Sequence, residues 1–181
     1  MLPKRGSRFL VTVDLDEVAA RLAPRLIAYA LGRTGCRAIA EDVAQDALTA
    51  LVRRWRHAGP PESPDAFAFA IARRRAGRAI FRRALTAPLD ALHGVARDEA
   101  GVDRAYEDRV DLATVLAALR TLPRADRDAL LLRLVADLPF TDIAALMNTS
   151  PAAVKMRISR ARRRLAALLP EHLHGRRTQT A

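Results

Sequence analysis

The sequence holds a single cysteine, Cys36, in 181 residues. One thiol excludes an internal disulfide framework and fits a reducing compartment. Aromatic residues make up only 4% of the chain. That scarcity, with few β-branched runs, argues against a strand-built core. No run of about 18 apolar residues appears, so no membrane span is expected. The apolar stretch in MLPKRGSRFLVTVDLDE is too short for a signal-peptide core. A soluble, cytoplasmic protein is therefore expected. His57, His93, His172 and His174 are scattered and show no metal-ligand spacing, so no metal is expected. There is no phosphate-cradling Gly-rich loop and no nucleophile elbow, and the acids fall on helix faces or in a linker. Neither catalysis nor a cofactor is expected of this chain.

What is abundant is Leu, Ala and Arg, the composition of good helix formers, and the expected fold is all-α. The net charge is +11, which attracts polyanions, nucleic acid first among them. The charge is unevenly distributed. Residues 1–56 and 57–83 each carry a net +4, residues 84–111 a net −4, residues 112–150 are balanced, and residues 151–181 carry +7. Two basic blocks around an acidic segment predict two small helical domains joined by a flexible linker. The expected boundaries are an N-terminal extension over 1–15, a first module over 16–85, a linker over 86–110, a second module over 111–169 and a tail over 170–181.

In the first module, Val18, Leu22, Leu26 and Ala30 recur every four residues and predict a helix over Asp16–Thr34, stopped by Gly35. A second helix, AEDVAQDALTALVRRWR, carries an apolar stripe of Val43, Ala47, Leu51 and Trp55. Its Asp42, Gln45, Asp46 and Thr49 lie on other faces. The Gly- and Pro-rich stretch His57–Asp65 reads as a loop. A third helix, AFAFAIARRRAGRAIFRRAL, turns Phe69, Ala72, Ala76 and Ile80 one way and leaves six arginines around the remainder.

The linker shows no sustained period beyond a short helical piece near Ala105. In the second module, DLATVLAALRTL is a helix ended by Pro123. The next helix, RADRDALLLRLVADL, has Leu130, Leu134 and Leu138 as its expected stripe. Thr141 is expected to cap a short helix through Met147, with Asn148 left-handed at its end. Ser150 then reads as an N-cap, with Pro151 at the first helical position. Two helices across so tight a turn make a helix-turn-helix.

The last helix, SPAAVKMRISRARRRL, buries Val154, Ile158, Ala161 and Leu165. In a helix-turn-helix the N-terminal part of the second helix enters the major groove. That part offers Ala152 and Ala153 for close approach and Lys155, Met156 and Arg157 for base edges. An arginine bonding guanine bidentately gives about 1–3 kcal/mol of discrimination. Arg160, Arg163 and their neighbours suit phosphates.

Both modules resemble one family, the bacterial RNA polymerase sigma factors, in particular the two-domain extracytoplasmic-function (ECF) group of the sigma-70 family. ALRTLPRADRDALLLRLVADLPFTDIAALMNTSPAAVKMRISRARRRL resembles region 4. RLIAYALGRTGCRAIAEDVAQDALTALVRRW with FAIARRRA resembles region 2. The resemblance covers about residues 17–84 and 111–169, in the family's order and spacing. It implies a factor that binds core RNA polymerase and directs promoter-specific initiation. Asp42, Gln45 and Asp46 would meet the β′ clamp, and an acidic, amide-bearing patch suits a protein partner better than phosphate. The third helix would engage the −10 element through Phe67, Arg73, Arg74, Arg75, Arg78 and Arg82, since strand separation needs backbone cations and stacking faces. Phe69 is read as core. The loop His57–Asp65 stands where the family captures a flipped base. Region 4 would read the −35 element and meet the β flap, and the acidic linker would thread toward the polymerase active centre. The group is often held by an anti-sigma partner. The sequence departs from the family pattern at Arg74, usually Asn; at Arg78, usually Asp; at Phe67, usually Trp; and at Ile39, usually acidic. Asn148 and Thr149 replace a Gly-apolar pair.

On the residues alone the alternative is a helix-turn-helix regulator that works without polymerase. Such proteins dimerise to match paired half-sites, and no dimerisation stripe is visible, so no homo-oligomer is expected. A nuclease would need a carboxylate cluster for metal, and none converges in the sequence.

Overall fold

A computed structural model describes residues 14–86 and 104–174, and among these every regular element is a helix. The first half contains α1 (Leu15–Thr34), α2 (Arg37–Ala58) and α3 (Pro64–Thr86). The second contains α4 (Arg104–Thr121), α5 (Arg124–Leu134), α6 (Phe140–Met147), α7 (Pro151–Leu168) and the single turn α8 (Glu171–His174). The expected N-terminal extension up to residue 13, linker residues 87–103 and the tail from residue 175 lie outside the described residues.

Local chemistry sets the helix ends. Asp14 caps α1 by accepting from the Asp16 amide at 3.1 Å. Gly35 ends it with φ 67°, and its amide donates to the Leu31 carbonyl. Pro24 lies in the middle of α1, on its exposed side. The three helices then bury the faces expected of them. Val18, Leu22, Leu26 and Ala30 pack against Val43, Ala47 and Leu51 of α2 and Phe69, Ala72 and Ala76 of α3. Phe69 and Tyr29 meet edge-on, with ring centroids 5.4 Å apart.

Three expectations need correction. The helical piece near Ala105 is no separate element; it is the first turn of α4, which starts at Arg104 and replaces the end of the expected linker. Thr141 does not cap α6. The helix begins one residue earlier, at Phe140 after Pro139, and the Thr141 hydroxyl faces Asp142 Oδ1 at 3.4 Å instead. The helix α5 stops at Leu134, and Leu134 itself is 61% exposed. The two halves also share one core. Leu119, Leu130, Leu131 and Leu132 belong to the same buried cluster as α1–α3.

The halves pack closely at Gly32. A β-carbon there would stand 2.8 Å from a Leu131 methyl and 3.6 Å from one of Leu119, so a larger residue would require the Leu131 side chain to shift.

Candidate nucleic-acid interface

The helix-turn-helix is built as its residues dictate. Asn148 adopts φ 51°, and its amide donates to the Ala145 carbonyl while Thr149 donates to Ala144. This left-handed residue turns the chain through the tight corner between α6 and α7. Ser150 is extended and its Oγ accepts from the Ala153 amide at 3.2 Å, with Pro151 at the first helical position. Val154, Ile158 and Ala161 bury one face of α7, with Leu165 partly buried behind them.

The opposite face stands in solvent. Ala152, Lys155 and Met156 are exposed, Met156 by 58%, while Ala153 and Arg157 are half-buried beside them. Lys155 Nζ lies 5.3 Å from the Phe140 ring centroid, and the Arg133 guanidinium lies 5.4 Å from the same centroid. Phe140 therefore sits between two cations at the entrance of the motif. Arg160 donates to Asp126 Oδ1 at 3.3 Å. Asp126 is buried in α5, so this pair fixes the α7 arginine to the scaffold while half its side chain stays exposed. Arg162, Arg163 and Arg164 continue the exposed basic face.

The second basic surface lies on α3. Arg74, Arg75, Arg78 and Arg82 line a groove of ≈ 850 Å³ together with Ile39, Asp42 and Asp46 of α2. Arg75 Nε pairs with Asp46 Oδ2 at 3.2 Å. The acidic and basic sets, assigned to different partners from sequence, thus share one groove. Gln45 points elsewhere, into a ≈ 510 Å³ groove between α1 and α2 with Glu41 and Leu48. The aromatic Phe81 lines the first groove and is 65% exposed. The expected site did not include it. Phe67 is half-buried against the core.

Arg73 stands apart from this surface. Its Nε donates to Asp128 Oδ2 at 3.0 Å and its Nη1 to the Leu146 carbonyl at 3.0 Å, both in the second half of the chain. Asp128 also accepts from the Tyr29 hydroxyl at 3.0 Å and pairs with Arg33 at 2.6 Å. Burial pushes the Tyr29 hydroxyl far up, reinforced by the adjacent Asp128 charge, so it stays a donor. Burial pulls the Arg33 guanidinium down, but Tyr29 and Asp128 outweigh it and hold the group above its ordinary value. Arg127, next in sequence, is pushed down by burial and by Arg33, with Asp128 opposing. Arg25 bridges the halves a second time. It pairs with Asp65 at 2.8 Å and donates to the Val135 carbonyl at 3.1 Å and to the Ala136 carbonyl, just beyond the end of α5. Sequence reasoning missed Tyr29, Arg33 and Asp128, whose meeting depends on contacts 99 and 95 positions apart along the chain.

Comparison with known proteins places this geometry. The model for sigma-70 region 2 matches residues 18–86 and that for sigma-70 region 4 matches residues 112–165. The chain is 33% identical over 96 residues to RNA polymerase sigma factor CnrH of Cupriavidus metallidurans, covering 53% of this chain and 50% of that protein. It is 30% identical over 165 residues to an uncharacterised protein of Rhizobium meliloti, covering 86% of this chain and 38% of that one. It thus spans half or less of the length of these curated relatives. Among solved structures, sigma factor RpoE of Bartonella quintana, in complex with the anti-sigma factor NepR, is similar with a TM-score of 0.67 and 25% identity, over 86% of this chain and 96% of that one. CnrH, solved with the cytosolic domain of CnrY, is similar with a TM-score of 0.60 and 26% identity, over 85% and 86% of the two chains. With both regions matched in order along one all-helical chain, this protein belongs to the sigma-70 family, in its ECF group of RNA polymerase sigma factors.

Proposed function

We propose that this chain binds core RNA polymerase and directs initiation at promoters that carry −10 and −35 elements. The α2 carboxylates Asp42 and Asp46, with Gln45, anchor it on the β′ clamp. The basic face of α3, with Phe67 beside it, engages the −10 element. The first turn of α7 enters the −35 major groove, where Ala152, Ala153, Lys155, Met156 and Arg157 face base edges while Arg160 and Arg163 hold phosphates. The region 4 half also meets the β flap. Polymerase performs the chemistry, and this chain supplies the choice of site. An anti-sigma protein is a further partner, on the precedent of RpoE with NepR.

The observation that carries this reading is the α6–α7 pair. It has a left-handed corner at Asn148, a capped start at Ser150, a buried Val154–Ile158–Ala161 stripe and an exposed reading turn, all on the same chain as a region 2 match. The test is run-off transcription with core polymerase on a promoter library. Core-dependent transcripts from a defined promoter class are expected, and none from any promoter refutes the reading. Asp42→Lys with Asp46→Lys should weaken association with core. Undiminished co-purification of that variant with polymerase counts against the clamp assignment.

A further inference from the structure

Phe140 opens α6 directly after Pro139, and its ring is half-buried against the core. The Lys155 ammonium nitrogen lies over that ring, 5.3 Å from its centroid, within the range at which the negative face of an aromatic ring attracts a cation. Lys155 is exposed, and among the described residues no carboxylate forms an ion pair with it. The other cation at the ring is already committed. Arg133 places its guanidinium 5.4 Å from the same centroid, pairs with Asp137 at 2.8 Å and donates to the Leu138 carbonyl at 3.2 Å. Those bonds tie Arg133 to the corner between α5 and α6, where Asp137 takes φ 47°. The ring is thus fixed to the scaffold by its burial and by a cation whose charge Asp137 meets, while the charge of Lys155 stays unmatched.

We propose that Phe140 is a positioning residue for promoter recognition: its ring holds the Lys155 ammonium at the α6 end of the reading turn, so that Lys155 meets DNA already restrained. The proposal rests on the reading that the first turn of α7 enters the −35 major groove. A lysine side chain is flexible, and fixing it on DNA costs rotamer freedom. A ring that restrains it beforehand lowers that cost. The ammonium has three N–H donors, and the ring face occupies one direction, which leaves others for an acceptor on DNA. An acidic residue could hold Lys155 as firmly, but it would cancel the charge and repel the approaching phosphates. A phenyl ring holds the cation without adding a negative charge. Phe140 therefore acts through Lys155 and needs no contact with DNA itself.

The test is a double-mutant cycle on the full chain assembled with core polymerase, read as affinity for the promoter selected in the run-off assay. Phe140→Leu keeps an apolar side chain but removes the ring, and should weaken binding about two- to fivefold, the equivalent of one exposed cation–π contact. Lys155→Met should weaken binding by itself, and in that background Phe140→Leu should have no further effect, because the group it positions is gone. Phe140→Tyr keeps the ring and should bind as the unaltered chain does. A Phe140→Leu loss of equal size with and without Lys155 means that Phe140 merely supports α6, and overturns the proposal. Binding by Phe140→Leu as tight as that of the unaltered chain, or tighter, overturns it too, as does a Lys155→Met variant that binds undiminished. A second measurement covers the case where Phe140→Leu fails to fold. In the proton spectrum of the unaltered full chain, the Lys155 ε-methylene should resonate upfield of an exposed lysine through the ring current of Phe140, and an unshifted resonance overturns the proposal. If the run-off assay selects no promoter, the −35 reading falls and this inference with it. With a promoter in hand, the cycle judges Phe140 alone, and the placement of α7 stands whichever way the cycle comes out.

Discussion

Removing the hydroxyl of Ser150 should weaken both the fold and the reading of DNA by amounts that can be worked out in advance. Ser150 Oγ accepts from the Ala153 amide at 3.2 Å, and Pro151 contributes no amide, so this bond satisfies one of the few donors at the start of α7. Ser150→Ala leaves that amide to water at a cost of about 1 kcal/mol. In a chain of this length the melting temperature should fall by about 2–4 °C. The rest of α7 stays docked through Val154, Ile158 and Ala161, which are buried. Fraying is therefore confined to the turn that carries Ala152, Ala153, Lys155 and Met156. If that turn must be helical to bind, affinity for a cognate −35 duplex should fall by at most about fivefold, the equivalent of about 1 kcal/mol. Ser150→Asp separates the two effects. The carboxylate caps as well as serine and suits the positive helix end, so the melting temperature should hold. The same charge faces phosphate, so binding should fall further than in Ser150→Ala and most steeply at low salt. Thermal unfolding and fluorescence anisotropy over a salt series measure both. If Ser150→Asp binds the duplex as tightly as the unaltered protein, the start of α7 does not face DNA. If Ser150→Ala melts unchanged, the cap carries no weight.

Other consequences follow from the same geometry. Arg157→Ala should relax base preference at one promoter position by about 1–3 kcal/mol, whereas Arg163→Ala should lower affinity for all sequences alike; identical behaviour across a panel of duplexes refutes the division of α7 into reading and anchoring parts. Asp126→Ala and Arg160→Ala, measured by urea unfolding singly and together, should show a coupling of about 1 kcal/mol, because Asp126 is buried while Arg160 is half-exposed; a coupling of zero makes the contact incidental. Hydrogen bonds from Arg21 hold the Asp65 carboxyl below its ordinary value against the opposing effect of burial, with Arg25 adding to the charge. Its contribution is therefore fully present above the unfolded value near 4 and is lost as pH falls through the lower folded value. Asp65→Asn should lose about 1 kcal/mol at neutral pH and flatten the acid limb of the stability curve, and an unchanged limb refutes the assignment.

Legibility from sequence depended on how many sides of an element are covered. The helix α1 turns one face to α2 and α3, and its Val18, Leu22, Leu26 and Ala30 repeat is visible by eye. Most of α7 is equally plain, because only one face packs. The helix α5 defeats the same rule. Leu130, Leu131 and Leu132 are consecutive and all buried, since α7 and α6 cover one side and α1 another, so a stripe at every fourth residue misplaced Leu134 on the inside. The contact of Arg73 with Asp128 was hidden from the sequence for a related reason. In sequence Arg73 is one of six arginines on α3. Its partner lies 55 positions away, and nothing in the spacing distinguishes it from Arg74 or Arg75.

The charge of the molecule is best understood as what remains after the seams are built. Arg21 and Arg25 are matched with Asp65, Arg33 and Arg73 with Asp128, Arg160 with Asp126, and Arg75 with Asp46. Among the described residues Arg74 and Arg78 on α3, and Arg157, Arg162, Arg163 and Arg164 on α7, have no such acidic partner. These lie on the α3 and α7 faces proposed to meet nucleic acid, while most of the matched arginines join helices to one another. A total of +11 could not distinguish the two groups, because arginine has the same composition signature whether it faces phosphate or a buried carboxylate. The place of Arg73 in the sequence suggests the basic face of α3, and its bonds to Asp128 and to the Leu146 carbonyl make it part of the seam.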